Sequence, residues 1–213
     1  MVTVTVYGIP LSTCTKRVLT ICNELDINYE IVTVDIFKGE HKADEYLASK
    51  QPFGAIPVVV DEDGTQLFES RAICRYLTAK YGKEHGLLPP SSDLKAYGLF
   101  EQAASIEYTS FDPAASGLTY ERLFAQAFGA QGSEELAQKH IKTLEAKMEG
   151  YERILSKQKY LAGDKITLAD LFHLPYGRFV DQISPEIMAS KPHVKKWWED
   201  ISSRPSWIKV KDL

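Results

Sequence analysis

Apolar and polar residues change period repeatedly along the first third of the chain. Thr3-Val4-Thr5-Val6-Tyr7 alternates with the period of two expected of a strand with one buried face, and Val18, Ile21, Cys22 and Leu25 then recur at helical spacing. Tyr29-Glu30-Ile31-Val32-Thr33-Val34 returns to strand character and runs into the polar loop Lys38-Gly39-Glu40-His41. Strand, helix, strand predicts a parallel pair joined by a right-handed crossover. A hairpin is expected next. Pro57 opens the run Val58-Val59-Val60 without removing a hydrogen bond from its middle, and Asp63-Gly64 turns the chain into Gln66-Leu67-Phe68. Ile56, ahead of the proline, is held extended, which leaves its N–H and C=O available to a ligand with a peptide backbone. Glu69 and Ser70 follow, with Ser70 as the expected N-cap of a helix over Arg71–Leu77, whose free N–H groups favour an anion.

After Tyr81 the pattern changes. Gly82–Gly86 and Pro89-Pro90-Ser91-Ser92 read as a linker, and helical periodicity dominates from there. Ile141, Leu144, Met148, Tyr151 and Leu155 form one apolar stripe; Val194, Trp197, Trp198 and Ile201 form another, and both are expected in the core. Thr167 is the expected N-cap of a further helix, with Asp170 three residues on and Ile166 placed for a hydrophobic staple with Leu171. The predicted organisation is an α/β fold: a thioredoxin-like βαβ–ββα domain over residues 1–81, a linker over 82–91, and an all-α domain over 92–213.

Composition removes several classes of function. A length of 213 residues allows two modest domains, and 25% charged with 44% hydrophobic residues is ordinary for a globular chain. A net charge of -4 with scattered basic residues argues against nucleic acid as a partner. Cys14, Cys22 and Cys74 form no Cys-x-x-Cys pair and cannot all be bridged, which fits a reducing compartment and gives no metal site. No apolar run reaches the roughly 20 residues of a membrane span, and the N-terminus lacks the pattern of a signal peptide. The expectation is a cytoplasmic protein without nucleic-acid or membrane partners.

Read together, VYGIPLSTCTKRV at the start, GEHK at 39–42, QPFGAIP at 51–57, LFESRAICRYL at 67–77, FDPAAS at 111–116 and YLAGDKITLADL at 160–171 resemble the cytosolic glutathione transferases, specifically the plant Phi class and its fungal relatives. The resemblance runs the length of the chain. It implies conjugation of glutathione, as co-substrate, to hydrophobic electrophiles by a homodimer, with reduction of organic hydroperoxides by the same thiolate. A ligandin that stores hydrophobic compounds and a Cys14-dependent thiol reductase are the alternatives.

For the site, the resemblance implies that Glu69 and Ser70 hold the γ-glutamyl end. Ile56, before a cis Pro57, pairs with the cysteinyl unit, and His41 and Lys42 meet the glycyl carboxylate. Ser12, between the first strand and the first helix, is the implied donor to the glutathione thiolate. Thr13 and Cys14 are rival groups beside it. An acceptor pocket between the domains is expected against Leu11, Phe37, Phe111, Ala115 and Thr119. Phe53 is the implied dimer anchor. Ala55 departs from the family, which often carries Gln or Lys there.

Overall fold

The computed structural model describes residues 2–213. They fall into two compact units, one comprising the chain up to His85 together with Pro205–Leu213, the other Gly86–Arg204.

In the first unit the strands β1 (Thr3–Gly8), β2 (Asn28–Thr33), β3 (Val58–Val60) and β4 (Gln66–Phe68) form one mixed sheet in the order β2-β1-β3-β4. β1 runs parallel to β2, with Thr3 opposite Asn28 and Gly8 opposite Thr33. β3 returns antiparallel to β1, pairing Val58 with Tyr7, and β4 is antiparallel to β3, pairing Phe68 with Val58. The alternation in β1 is that of a central strand, with Val4 and Val6 fully buried and Thr3, Thr5 and Tyr7 half-buried.

Helices α1 (Thr13–Glu24) and α3 (Ser70–Tyr81) pack against each other, burying Val18, Leu19, Ile21, Cys22, Ile73, Cys74 and Leu77. Elsewhere on the sheet Val34, Tyr46 and Val58 form a smaller cluster with Tyr7, Ile56 and Phe68, and Tyr46 is supplied by the short helix α2 (Asp44–Ser49). A 3-10 turn, Glu40–Lys42, occupies the polar loop.

The hairpin is wider than a two-residue turn. Asp61 N–H donates to the Thr65 carbonyl at 2.9 Å and Gly64, at φ 82°, closes the bend. Asp61 is buried and accepts from Tyr76 (2.6 Å), Tyr81 (2.7 Å) and Lys80 (2.7 Å), so one carboxylate ties the hairpin to the last turns of α3. Burial works to raise the Asp61 carboxyl, but the hydrogen bonds from Lys80, Tyr76 and Tyr81 outweigh it and hold it below its ordinary value. A carboxyl depressed by folding contributes stability above its unfolded pKa of about 3.9 and loses it as pH falls through the lower folded value. Asp61→Asn is therefore expected to lower stability at neutral pH and to flatten the acid limb below about pH 4, read by urea titration at several pH values.

The second unit is helical. It contains α4 (Leu94–Ile106), α5 (Asp112–Thr119), α6 (Ala125–Ala127), α7 (Glu134–Leu155), α8 (Leu168–Leu171), α9 (Leu174–Ile183), α10 (Pro185–Ala189) and α11 (Pro192–Ser202). Wide-turn π segments, Glu107–Phe111 and Tyr120–Phe124, flank α5. Among the described residues no helix is long and apolar enough to cross a membrane.

The expected boundary of the helical domain, 92–213, is corrected at its end. The last helix, α12 (Pro205–Ile208), belongs to the first unit with the tail behind it, because Trp207 and Val210 are buried there and Lys16 donates to the Lys211 carbonyl at 2.7 Å. Asn23 also donates to the Ser206 carbonyl, and the Ser206 hydroxyl to Glu24.

Candidate functional site

The strand directions gather the candidate residues at one edge of the sheet. β1 ends where β3 begins, β2 ends beside β1, and β4 ends beside the start of β3. The segments leaving that edge carry Ser12, Phe37 to Lys42, Ile56-Pro57 and Glu69-Ser70. Gly8 makes the approach possible: a Cβ there would stand 2.7 Å from Thr15 Oγ1 and 3.5 Å from the Pro57 ring.

Ser12 is the N-cap of α1, extended at φ -69° and ψ 129°, and its Oγ accepts from Thr15 N–H at 3.3 Å. Accepting leaves the hydroxyl proton free to be donated elsewhere, so capping and catalysis are compatible roles. Thr13 is buried. Cys14 is partly accessible, with Sγ 3.5 Å from Arg17 Nη1.

The Ile56–Pro57 bond is cis. Among the described residues Ile56 makes no backbone hydrogen bond, while the neighbouring Ala55 carbonyl accepts from Tyr46 at 2.9 Å. The loop before it is braced from His41 and Lys42. Lys42 Nζ donates to the Phe53 carbonyl at 3.0 Å, and Gly54 lies beneath it at φ 62°. A Cβ on Gly54 would meet His41 O at 2.7 Å and Lys42 Nζ at 2.9 Å. Gly54→Ala is accordingly expected to cost about 1–3 kcal/mol of stability and to weaken any ligand that spans His41-Lys42 and Ile56, measurable by thermal melting and calorimetric titration.

His41 Nδ1 is shielded and finds no hydrogen-bond partner among the described residues. Burial, with the Lys42 ammonium adding to it, pushes the His41 ring below its ordinary pKa.

Ser70 departs from its expected role. α3 begins at Ser70, and the cap position belongs to Glu69, which stands at φ 68° and ψ 103° with its carbonyl accepting from Ile73 N–H at 2.9 Å. A non-glycine residue in that conformation carries strain of about 1–3 kcal/mol, of a kind concentrated at ligand sites. Glu69 is exposed and Ser70 buried, and Ser70 Oγ accepts from Arg17 Nη1 at 2.9 Å. Arg17 is itself 1% exposed. It is not among the residues expected from sequence; the signal was a cation at i-4 from Ile21 on a core face.

Leu11 and Phe37 are exposed, at 63% and 57%, on loops leaving the same edge. Phe53 is 75% exposed. The other three residues expected at the acceptor pocket are buried in the structure. Phe111 packs its ring 4.8 Å from that of His173, the Thr119 hydroxyl donates to the Ala115 carbonyl at 2.7 Å, and all three are at most 1% exposed. They recur at i, i+4 and i+8 across the end of the first π segment and α5, and α5 packs on α7 and α9. No cluster of three or more His, Cys, Asp or Glu able to hold a metal occurs among the described residues.

Comparison with known proteins bears on the whole chain. Residues 2–79 match the model of the glutathione S-transferase N-terminal domain and residues 106–205 that of the C-terminal domain. The chain is 64% identical to glutathione S-transferase PM239X14 of Arabidopsis thaliana over 93% of its own length and 91% of that protein's. Among solved structures it resembles glutathione transferase F7 from Populus trichocarpa, with a TM-score of 0.91, 39% identity and 98% of each chain covered. It also resembles glutathione S-transferase I from maize in complex with an atrazine glutathione conjugate, with a TM-score of 0.89, 31% identity, and 98% and 96% coverage.

Proposed function

The chain belongs to the glutathione S-transferase family, of the Phi or fungal Phi-like class, and on that premise we propose that Ser12 holds glutathione as a thiolate and delivers it to hydrophobic electrophiles. The observation that carries the reading is Ser12 Oγ at the start of α1, which accepts from Thr15 N–H, on the sheet edge that also bears the cis Ile56–Pro57 step and the start of α3.

Each group of the tripeptide has an answer in the first unit. Glu69 accepts from the γ-glutamyl ammonium, and Ser70 with the first N–H groups of α3 takes the γ-glutamyl carboxylate. Ile56 offers its backbone N–H and C=O to the cysteinyl residue, which completes a short strand-like pairing. Lys42, with His41 beside it, meets the glycyl carboxylate. Ala55 has no side chain to add there, so the glycyl end depends on Lys42 and on the backbone of the loop.

Catalysis on this reading consists of holding a sulfur anion. A thiol of pKa about 8.5 is mostly protonated at neutral pH, and one charge-assisted hydrogen bond of roughly 1.5–3 kcal/mol lowers that value by about 1–2 units. The α1 N-terminus adds to the same effect. The thiolate attacks the electrophilic carbon and displaces its leaving group, while Ser12 keeps its proton throughout. Leu11 and Phe37 supply apolar surface to the electrophile. Phe53 is the anchor of a homodimer.

Retention on glutathione-agarose, then turnover of 1-chloro-2,4-dinitrobenzene by the eluted protein, tests the reading, and the eluted protein is expected to sediment as a dimer. Retention without turnover would replace the enzyme by a ligandin. Failure of both would remove the glutathione site itself.

A further inference from the structure

We propose that Arg17 is a positioning residue of this site, whose guanidinium sets the direction in which Ser70 donates and so governs recognition of the γ-glutamyl carboxylate. The inference rests on the glutathione reading above and adds to it a residue that touches no ligand.

Donor and acceptor capacity fixes the direction of the Ser70 proton. A serine hydroxyl has one proton and two lone pairs, and left alone it rotates to suit its surroundings. A guanidinium can only donate, and it stays charged at every working pH. Arg17 Nη1 lies 2.9 Å from Ser70 Oγ, so a lone pair of that oxygen is committed to Arg17 and the proton must point away from it. Ser70 is the first residue of α3, where the N–H groups of the opening turn also lack carbonyl partners within the helix. The hydroxyl is thereby turned from a rotor into a directed donor among donors, which is what a carboxylate requires.

Two further effects act in the same direction. A hydroxyl that accepts from a cation is a stronger donor, because the chain of hydrogen bonds polarises. The charge on Arg17 is also buried, so its attraction for a bound carboxylate is screened far less than that of a surface cation. The same Nη1 is 3.5 Å from Cys14 Sγ in the first turn of α1. Arg17 therefore contacts, from the helix that Ser12 caps, the residue with which α3 begins.

A strut that merely packs α1 on α3 would behave differently, and a ligand lacking one group separates the two roles. Glutathione and its analogue without the γ-glutamyl carboxylate, 4-aminobutyryl-cysteinyl-glycine, are titrated calorimetrically into the full-length protein and into Arg17→Met, Arg17→Lys, Ser70→Ala and the Arg17→Met/Ser70→Ala pair. The wild type is expected to prefer glutathione, and Arg17→Met to cut that preference about tenfold by weakening glutathione alone. Ser70→Ala should do the same, the double variant should be no worse than the poorer single, and Arg17→Lys should keep part of the preference. In turnover the KM for glutathione rises while kcat is retained.

Equal weakening of both ligands by Arg17→Met, or losses that multiply in the double variant, would overturn the proposal. If Arg17→Met does not fold, Ser70→Ala decides: a full wild-type preference there removes the directed-donor role. A wild type that binds no glutathione removes the site reading and this inference together. A wild type that prefers glutathione, with Arg17→Met keeping the preference, removes only Arg17.

Discussion

Ser12→Ala is expected to lower kcat/KM for conjugation about 10- to 30-fold near neutral pH, and to lower it progressively less as the pH is raised. One charge-assisted hydrogen bond of roughly 1.5–3 kcal/mol withdrawn from a thiolate is a factor of about 10 to 150 well below both pKa values, and the few per cent of thiolate that the variant still holds near pH 7 caps the loss there. The pH dependence follows from what the bond does. Ser12 stabilises the anion, so its removal returns the bound thiol toward a pKa of about 8.5 and moves the inflection of the rate profile upward. Above that pH both proteins hold thiolate, and the variant's more basic sulfur is intrinsically the better nucleophile, so the two rates converge.

Ser12 also caps α1, and loss of the cap costs about 1 kcal/mol of stability. Ser12→Gly separates the roles, because glycine at an N-cap costs only a few tenths of a kcal/mol yet has no proton to donate. The same rate loss in both variants, with a smaller fall in melting temperature for the glycine, assigns the rate effect to the hydroxyl. Cys14→Ser should leave conjugation nearly intact. A larger loss from Cys14→Ser than from Ser12→Ala would sink the assignment and move the chemistry to the cysteine.

The first unit was largely legible because short-range patterns determine it. Period two in β1, the Pro57 strand start and the Asp63-Gly64 turn each depend on neighbours a few residues away, and the parallel pair and the antiparallel hairpin form where they predict them. The residues that escaped depend on distant partners. α1 is buried on almost every side, so Lys16 and Arg17 sit in places where an amphipathic reading expects apolar residues. Their polar ends are met by the Lys211 carbonyl and Ser70. The return of Trp207 to the first unit is likewise a long-range event with no local signal. For Phe111, Ala115 and Thr119 the helical spacing was readable but their burial was not, since a stripe of small and apolar residues is the same pattern whether it lines a pocket or packs in a core. Ser70 moved by a single position from cap to first helical residue. That step changes its partner from a backbone N–H to Arg17.

Asp170→Ala is expected to destabilise the helical unit by about 3–5 kcal/mol while leaving the groups that would bind glutathione untouched, since those lie in the other unit. The sequence assigned Asp170 to a helix cap, and it does more. Its carboxylate accepts from Thr167 N–H (2.9 Å) and Thr167 Oγ1 (3.1 Å), and also from Leu161 N–H (3.0 Å) and the Trp197 indole N–H (3.0 Å). One fully buried group thus ties the start of α8 to the preceding loop and to the middle of α11. Burial pushes the Asp170 carboxyl up, and the four hydrogen bonds it accepts oppose that push. Alanine would strand the donors of Leu161, Thr167 and Trp197 in the interior, at about 1–3 kcal/mol each before local relaxation recovers part of the sum. In the Asp170→Asn variant the side-chain amide can still accept on its one oxygen but turns an N–H2 toward donors on the other side, so about half the loss is expected. Denaturant titration followed by Trp197 and Trp198 fluorescence in a Trp207→Phe background reads this unit, and the alanine variant's melting temperature should fall by roughly 6–20 °C. A loss below about 1 kcal/mol would mean that water replaces the carboxylate and that the cap, not the junction, is its whole contribution.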